Sequence, residues 1–423
     1  MLIYDAVFLV VLFVLFPYWL GKRKLHAGFL MRFGVFSKET QVALREGKNV
    51  WVHAVSVGEV LAIRGLIRSL KERWPGCQVV LSTVTKTGFA VASSQLKESD
   101  RVLYGPLDLS WVVRKYLNLI RPQIYIVAET EIWPNLFWAL RKREIPVVLV
   151  NGRISERAFR GYFQWRYFIR KIFNCVDRFC MQTELDRQRV IHLGVPASKV
   201  QVAGNIKFDD LPSPAEFGLR DFGFNGQESL WIAGSTHPGE EKVVLKIFQS
   251  LWKEYPDLRL VIAPRHVERS QEVARLIEEF GFKPARLSEL HLSPPADQRS
   301  VVVVDTIGHL RSLYGLSKIV FIGKSLSRSG GHNIIEPAFF ANAILVGPHM
   351  QNFQDIVEIF LKHKALIQVK SAEELSIKIR ELLKNPDEMK KLGQNAKEVI
   401  RKYRGATQKT LDIIDELLVS SRI

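Results

Sequence analysis

The chain has 423 residues, 47% hydrophobic and 24% charged, a balance that excludes an intrinsically disordered protein and favours two folded domains. A net charge of +17 indicates a negatively charged partner, which could be nucleic acid, an anionic membrane surface or an acidic substrate. The three cysteines form no CxxC pair and no Cys/His cluster, so they support neither a disulfide framework nor a zinc site.

The amino terminus carries an apolar run, Ala6–Leu20, followed by the basic sequence GKRK. A cleaved signal peptide has its positive charges before the apolar stretch, so this order predicts a retained anchor over residues 1–21. The apolar run would rise only about 22 Å as a helix, against roughly 30 Å of hydrocarbon, so a span also needs Met1–Asp5 or a thinned bilayer. The basic flank predicts that the rest of the chain is cytoplasmic. The alternative is a core helix of a soluble domain.

After this segment, short β-branched apolar runs alternate with amphipathic helical stretches, which predicts parallel sheets wrapped in helices. Residues 211–226 lose this periodicity and gather proline and glycine, as a linker does. We therefore predict two doubly wound, Rossmann-like α/β domains around a central cleft, over residues 22–210 and 227–423. The last helix either stays with the second domain or crosses back to the first. Strands are predicted at VWVHAV, QVVLST, IYIVA, VVLV and KVQVAG, and then at LWIAG, LRLVIAP, VVVVD, IVFIG, AILVG and ALIQV.

Polar segments follow the predicted strands of the second domain, at the edge where open α/β sheets bind ligands. In one of them, Gly330 and Gly331 allow close approach of a ligand, and Asn333 can cap the next helix. Glu336 lies on the same helix face as Asn333 and could accept hydrogen bonds from a ribose diol. It could equally be a solvent-facing residue of a capped helix. The pattern suits a nucleotide site, although the chain has no GxGxxG and no P-loop.

Carboxylates follow two predicted strands of the first domain. Glu59 lies in SVGE, and Glu129 and Glu131 lie in ETEIWPN. Carboxylates at strand ends in a cleft are candidates for a general base, because partial burial raises their pKa toward neutrality. Each could instead be an acidic residue in the first turn of a helix, where the helix dipole favours it.

Eight segments occur in the order and approximate spacing found in the bacterial 3-deoxy-D-manno-octulosonic acid (Kdo) transferases, and the chain resembles that family from about Leu30 to Leu418. The resemblance implies a GT-B fold and an inverting transfer of Kdo from CMP-Kdo to a lipid A precursor, lipid IVA, in lipopolysaccharide inner-core synthesis. It implies no metal and no cofactor beyond the donor substrate, and a location at the bacterial inner membrane. The segments are SVGE, ETEIWPN, NGRISERAFRGY, GNIKFD, GSTHPGEE, PRH, GGHNIIEP and GPHMQNF.

The same resemblance assigns roles to individual residues. Glu59 is implied as the general base, and Glu129 and Lys207 as groups that assist the transition state. Lys324 and His309 depart from the family, which usually has glycine and glutamate at these positions; Lys324 could reach the donor phosphate or the Kdo carboxylate. The implied CMP site comprises Pro264, Arg265 and His266, then Ile307, Gly308 and His309, and finally Asn333, Ile334, Ile335 and Glu336.

Chemical arguments from the residues agree with this interpretation. CMP leaves as a phosphate monoester and needs no acid to protonate it, so one essential carboxylate is enough. The chain contains no Asp-x-Asp, which disfavours a metal-clamped glycosyltransferase. Lys207 and Arg265 could neutralise the departing phosphate in place of a metal.

A basic, aromatic stretch over Gly152–Phe173 predicts contact with an anionic membrane surface and with the phosphates of a lipid acceptor. The alternative is a solvated basic face on a packed helix. We expect a lipid here and no nucleic acid. Two other functions stay open: a membrane-associated serine hydrolase that uses Ser56, and a non-catalytic module that binds anionic lipid.

Overall fold

The computed structural model describes residues 2–21, 28–95, 100–211, 218, 228–290, 299–326 and 330–420. The chain divides into an N-terminal unit, Met1–Asp210 with Tyr403–Ile423, and a C-terminal unit, Leu211–Lys402. Apart from residues 211 and 218, the predicted linker lies outside the described residues.

The N-terminal unit is built on a parallel sheet of seven strands in the order β3-β2-β1-β4-β5-β6-β7. Helices cover both faces of the sheet, so its middle strand, Ile124–Ala128, is apolar and buried at every position. The strands are β1 Lys48–His53, β2 Cys77–Thr83, β3 Arg101–Tyr104, β4 Ile124–Ala128, β5 Val147–Gly152, β6 Arg178–Met181 and β7 Val200–Val202. The helices are α1 Leu2–Gly21, α2 Lys38–Glu46, α3 Val57–Ala62, α4 Arg64–Arg73, α5 Lys86–Gln95, α6 Ser110–Ile120, α7 Pro134–Lys142, α8 Glu156–Gln164, α9 Arg166–Phe173 and α10 Glu184–His192.

Helix α1 packs onto the N-terminal unit. Its Phe8 and Leu12 contact the core, and its buried Asp5 accepts hydrogen bonds from the Ser110 N–H, at 3.0 Å, and from the Asn135 side-chain amide, at 2.6 Å. Across the described residues, no helix combines the length and the apolarity that crossing a membrane requires. The spanning anchor predicted over residues 1–21 is therefore not supported, and the carboxylate of Asp5 joins the start of α1 to α6 and α7.

The C-terminal unit repeats the architecture, with seven parallel strands in the order β10-β11-β9-β8-β12-β13-β14. Its strands are β8 Ser229–Thr236, β9 Leu258–Pro264, β10 Lys283–Arg286, β11 Ser300–Val303, β12 Ile319–Ile322, β13 Ala343–Val346 and β14 Ile367–Gln368. Its helices are α11 Glu240–Trp252, α12 Ser270–Glu279, α13 Leu310–Leu313, α14 Ile335–Phe339, α15 Gln354–Lys362, α16 Ala372–Lys384 and α17 Pro386–Tyr403.

The last helix, α18 (Ala406–Ser420), belongs to the N-terminal unit, whereas the predicted second domain extends to residue 423 with the crossing as an alternative. The Trp74 indole N–H donates to Asp415 at 2.9 Å. At the start of α18, the backbone N–H groups of Gly405 and Thr407 both donate to the Asp209 carboxylate, at 2.7 and 2.6 Å. These bonds fix α18 against α4 and against the end of the N-terminal unit's first segment.

Candidate active site

Each sheet has a switch point, where two central strands are neighbours in space and their following loops diverge to opposite sides. In the N-terminal unit it lies between β1 and β4, and in the C-terminal unit between β8 and β12. Open α/β sheets bind ligands beside the carboxyl ends of strands at such points. The predicted carboxylates follow β1 and β4, so the fold brings them to one place.

Glu59 lies in the first turn of α3 and is 8% exposed. Its Oε2 accepts a hydrogen bond from the Val55 N–H at 2.7 Å, and its Oε1 accepts one from the Ser56 hydroxyl at 2.9 Å. Burial raises the pKa of Glu59, the two hydrogen bonds oppose that rise, and the nearby Glu129 adds to it. Glu59 therefore supports the helix start and is also a carboxylate with raised proton affinity.

Ser56 is the N-cap residue of α3. Its Oγ accepts a hydrogen bond from the Glu59 N–H at 3.4 Å and donates to the Glu59 carboxylate. The histidine nearest to it in sequence, His53, is buried, and its Nδ1 lies 2.7 Å from the Ser82 hydroxyl. Nothing in this geometry activates Ser56 as a nucleophile, because its hydroxyl is directed to a carboxylate and not to an imidazole.

Glu129 follows β4 directly and has a positive φ of 56°. Its N–H donates to the Val150 carbonyl at 2.9 Å, which holds this residue in the left-handed conformation. Its Oε1 lies 3.8 Å from the Lys207 ammonium, and both side chains are about one-third exposed. Lys207 lies in a short 3-10 helix, Ile206–Asp209, whose start is capped by the Asn205 side chain. Glu129 and Lys207, which the family resemblance implies as groups that assist the transition state, are therefore in contact.

Glu131 completes the group. Burial, together with the smaller effect of the negative charges of Glu59 and Glu129, raises the pKa of Glu131 from 4.5 to about 7. Glu131 can thus hold a proton near neutral pH, and Glu59 beside it is a carboxylate with raised proton affinity that can accept a proton from a bound hydroxyl. A general base needs this property.

In the C-terminal unit, Glu240 organises the switch point. Its carboxylate is buried and accepts hydrogen bonds from four backbone N–H groups, those of His237, Lys324, Ser325 and Leu326, at 2.6 to 3.0 Å. The loops after β8 and β12 are therefore held by one side chain. Sequence reasoning missed Glu240, although its position in the first turn of α11, within GSTHPGEE, was a usable signal.

Basic and aromatic-ring side chains lie at this edge of the C-terminal sheet. The His237 and His332 rings stack with Nε2 atoms 3.2 Å apart, and His266 packs edge-on against His237. Burial, together with the positive charge of Arg265, lowers the pKa of His332 to about 3. Arg265 and His266 are exposed after β9, while Pro264 is buried at the end of that strand.

Glu336 is not solvent-facing. Its Oε1 lies 3.1 Å from Arg311 Nε and accepts a hydrogen bond from the Asn333 amide at 3.3 Å. Asn333 Oδ1 accepts from the Ile335 N–H at 3.0 Å, one residue before the N-cap position, which Ile334 occupies. Sequence reasoning missed Arg311, because its partner lies on a different helix.

The remaining predicted CMP-site residues divide into exposed and buried groups. Ile307 is 77% exposed, Gly308 has a φ of 97°, and the His309 Nδ1 lies 2.8 Å from the Thr306 hydroxyl. Ile334 and Ile335 are fully buried. Their side chains belong to the core, and only their backbone could contact a ligand.

Two parallel α/β units, each with polar side chains at its switch point, define the GT-B class of glycosyltransferase folds. A crystal structure of a glycosyltransferase from Rickettsia africae matches with a TM-score of 0.56 at 14% identity, over 88% of this chain and 99% of that one. UDP-GlcNAc 2-epimerase from Neisseria meningitidis matches with a TM-score of 0.55 at 15% identity, over 88% and 100%. At these identities the likeness concerns the fold alone.

Comparison with sequence relatives identifies the family within this fold class. Residues 27–210 match the family model of 3-deoxy-D-manno-octulosonic-acid transferases. The 3-deoxy-D-manno-octulosonic acid transferase of Haemophilus influenzae is 34% identical over 377 residues, which cover 88% of this chain and 87% of that protein. The same enzyme of Chlamydophila psittaci is 28% identical over 375 residues, covering 85% and 83%. The chain belongs to the Kdo transferase family of glycosyltransferases.

Proposed function

We propose that this protein transfers Kdo from CMP-Kdo to a lipid A precursor, lipid IVA, with inversion at the anomeric carbon, in lipopolysaccharide inner-core synthesis. Membership of the Kdo transferase family supports the reaction. The observation that carries the chemistry is the group of Glu59, Glu129, Glu131 and Lys207 at the β1/β4 switch point.

In this proposal Glu59 is the general base. The acceptor hydroxyl attacks the anomeric carbon of Kdo, its proton passes to the Glu59 carboxylate, and the bond from the anomeric carbon to the phosphate oxygen breaks. CMP leaves with the bonding electrons. The raised pKa of Glu59 gives it the proton affinity that this step needs, and the hydrogen bonds from Val55 and Ser56 hold its carboxylate in place. Glu129 keeps Lys207 oriented beside the base.

Positive side chains stabilise the charge that develops on the departing phosphate. Lys207 in the N-terminal unit and Arg265 in the C-terminal unit are the residues that we assign to this task. Because these cations are part of the protein, the proposal includes no metal ion and no cofactor.

The C-terminal unit binds the CMP part of the donor. Arg265 and His266 contact its phosphate side, and the backbone of Ile307–His309 borders it. Glu336, which contacts Arg311 and Asn333, accepts hydrogen bonds from the ribose hydroxyls. Arg311 and Asn333 then position Glu336 for the ribose.

A surface of the N-terminal unit supports a role at the anionic inner membrane, on its cytoplasmic face. Helix α1 exposes Val10, Phe13 and Val14, and α9 exposes Tyr167 beside Lys171, whose ammonium lies 4.5 Å from the ring centre. Helix α7 connects these two regions, because it bonds to Asp5 of α1 and packs its Trp138 against Phe168 of α9. Apolar, aromatic and basic side chains together suit the interface of an anionic bilayer.

The direct test is mass spectrometry of lipid IVA incubated with CMP-Kdo and the protein. We expect a product heavier by one or more Kdo residues, with stoichiometric release of CMP. Omission of CMP-Kdo and substitution Glu59→Gln are the controls. Absence of any Kdo-modified lipid with the parent protein would reject the proposed function.

A further inference from the structure

Lys324 is the second residue after β12 and lies at the switch point of the C-terminal unit, beside the end of β8. Its φ is 57°, in the left-handed region that disfavours lysine and suits glycine. The loop cannot relax out of this conformation, because the Lys324 N–H donates to the buried Glu240 carboxylate at 2.6 Å. The Lys324 carbonyl in turn accepts from the Gly331 N–H at 2.9 Å. A lysine thus occupies a position where its side chain is a conformational disadvantage.

The side chain of Lys324 is directed toward the candidate donor site. A Cβ built on Gly330 would lie 3.3 Å from the Lys324 Cε, so the lysine stem passes directly over the glycine pair before His332. Burial lowers the pKa of His237 and of His332, and the Lys324 charge contributes to lowering both. Lys324 is half-buried as a residue, and in the described ranges its ammonium forms no ion pair with a carboxylate.

A positive φ also occurs away from the site, at Lys364, so the placement of Lys324 at the switch point, together with its φ, points to a ligand. Lys324 and Arg265 both act electrostatically on His332, and a half-buried lysine without an ion-pair carboxylate in such a positive environment is suited to binding an anion. The donor carries two such anions, the phosphate of CMP and the carboxylate of Kdo.

We propose that Lys324 is a donor-binding residue that contacts an anionic group of CMP-Kdo at the carboxyl end of β12. This assignment rests on the proposed function for the identity of the donor. In this proposal Lys324 determines how strongly the donor site binds the anionic part of CMP-Kdo, whereas Glu336 contacts the ribose.

Two variants of Lys324 separate its charge from its strain. Lys324→Gly removes the ammonium and relieves the positive φ, whereas Lys324→Met removes the ammonium and keeps the strain. Two lysines of the same unit provide controls. Lys364 has a φ of 51° and is exposed after α15, so Lys364→Gly relieves equivalent strain away from the site. Lys318 is exposed before β12, so Lys318→Met removes a charge at the opposite end of the same strand.

The experiment measures thermal unfolding, binding of CMP and of cytidine by calorimetry, and Kdo transfer at varied CMP-Kdo concentration. We expect Lys324→Gly to raise Tm yet weaken binding of the anionic ligand about 10- to 100-fold, as loss of a charge-assisted hydrogen bond does. Lys324→Met should weaken binding equally without raising Tm. Lys364→Gly should raise Tm and, like Lys318→Met, leave CMP binding and transfer unchanged.

The ligand series identifies the anion. Weaker CMP binding with unchanged cytidine binding assigns Lys324 to the phosphate, and unchanged CMP binding with a raised KM for CMP-Kdo assigns it to the carboxylate. If both variants bind CMP and use CMP-Kdo as the parent does, the proposal for Lys324 is wrong, while the proposed function stands. A parent protein that neither binds CMP nor transfers Kdo overturns both.

Discussion

Glu59→Gln tests the proposed base most directly. The substitution keeps the size of the side chain and removes its basicity, and we expect transfer to slow by roughly 10²- to 10⁴-fold, the usual share of general-base catalysis. This loss corresponds to about 3 to 5 kcal/mol of activation free energy. CMP binding should stay close to that of the parent, because Glu59 belongs to the N-terminal unit and the proposed CMP site to the C-terminal one.

The structure adds a stability effect that must be separated from the kinetic one. Glu59 accepts one hydrogen bond on each oxygen, from Val55 and from Ser56, and a glutamine offers only one accepting oxygen. Glu59→Gln should therefore lower the free energy of unfolding by about 1 to 2 kcal/mol. Ser56→Ala is the matched control, since it removes the cap of α3 at a similar cost of about 1 kcal/mol and keeps the carboxylate.

The measurements are the Kdo transfer rate at saturating CMP-Kdo and the free energy of unfolding in urea, for the parent and both variants. Together they separate a loss of catalysis from a loss of stability. Ser56→Ala should transfer Kdo at more than a tenth of the parental rate, whereas Glu59→Gln should be at or below one-hundredth, at similar stability. Equal rates for the two variants would show that Glu59 acts only as a helix-start residue. Glu131, with its pKa of about 7, would then be the next candidate for the base.

Four further outcomes follow. Glu240→Ala leaves four backbone N–H groups without their acceptor and should destabilise the C-terminal unit by about 4 kcal/mol or more in urea unfolding. As a control, Glu254→Ala removes only the exposed ion pair with Arg380 and should cost less than about 1 kcal/mol. Similar values for the two variants would contradict the structural role of Glu240. Because the pKa of Glu131 is raised in the folded protein, its contribution to stability is complete below pH 4.5 and is lost as pH rises through about 7. Glu131→Gln should therefore flatten the fall in the free energy of unfolding between these pH values. An unchanged pH profile in the variant would refute the raised pKa. Glu336→Gln should weaken binding of cytidine and of CMP by the same factor, about tenfold, because the ribose is common to both; a loss confined to CMP would point to the phosphate instead. Excess EDTA should leave Kdo transfer unchanged, and inhibition that Mg²⁺ reverses would show that the protein cations do not suffice.

The alternation of apolar runs was enough to predict two parallel α/β domains, and the structure confirms this architecture. Three strands were missed: β3, β6 and β10. Each has only four residues and begins with arginine or lysine, and β3 and β10 are edge strands. An edge strand buries less of its surface than a central one, so its sequence carries a weaker apolar signal.

The site was less accessible to sequence reasoning than the fold. Spacing could place Glu59 and Glu129 at strand ends, but the contact between Glu129 and Lys207 joins segments that only the folded sheet brings together. Glu240 shows the limit most clearly, because three of its four partners are backbone groups 84 to 86 residues later and no side-chain pattern marks them. Lys324 was noticed as a departure from the family, while its positive φ is a property that only coordinates reveal.

Asp5 connects α1 to the segment of the N-terminal unit that carries Glu129 and Glu131. Its carboxylate holds Asn135, a fully buried residue in the first turn of α7, and α7 begins directly after the loop that carries Glu129 and Glu131. A displacement of α1 would therefore act on the start of α7 through the 2.6 Å hydrogen bond from Asn135 to Asp5. The placement of α1 and the placement of the start of α7 are therefore coupled through the Asp5 carboxylate.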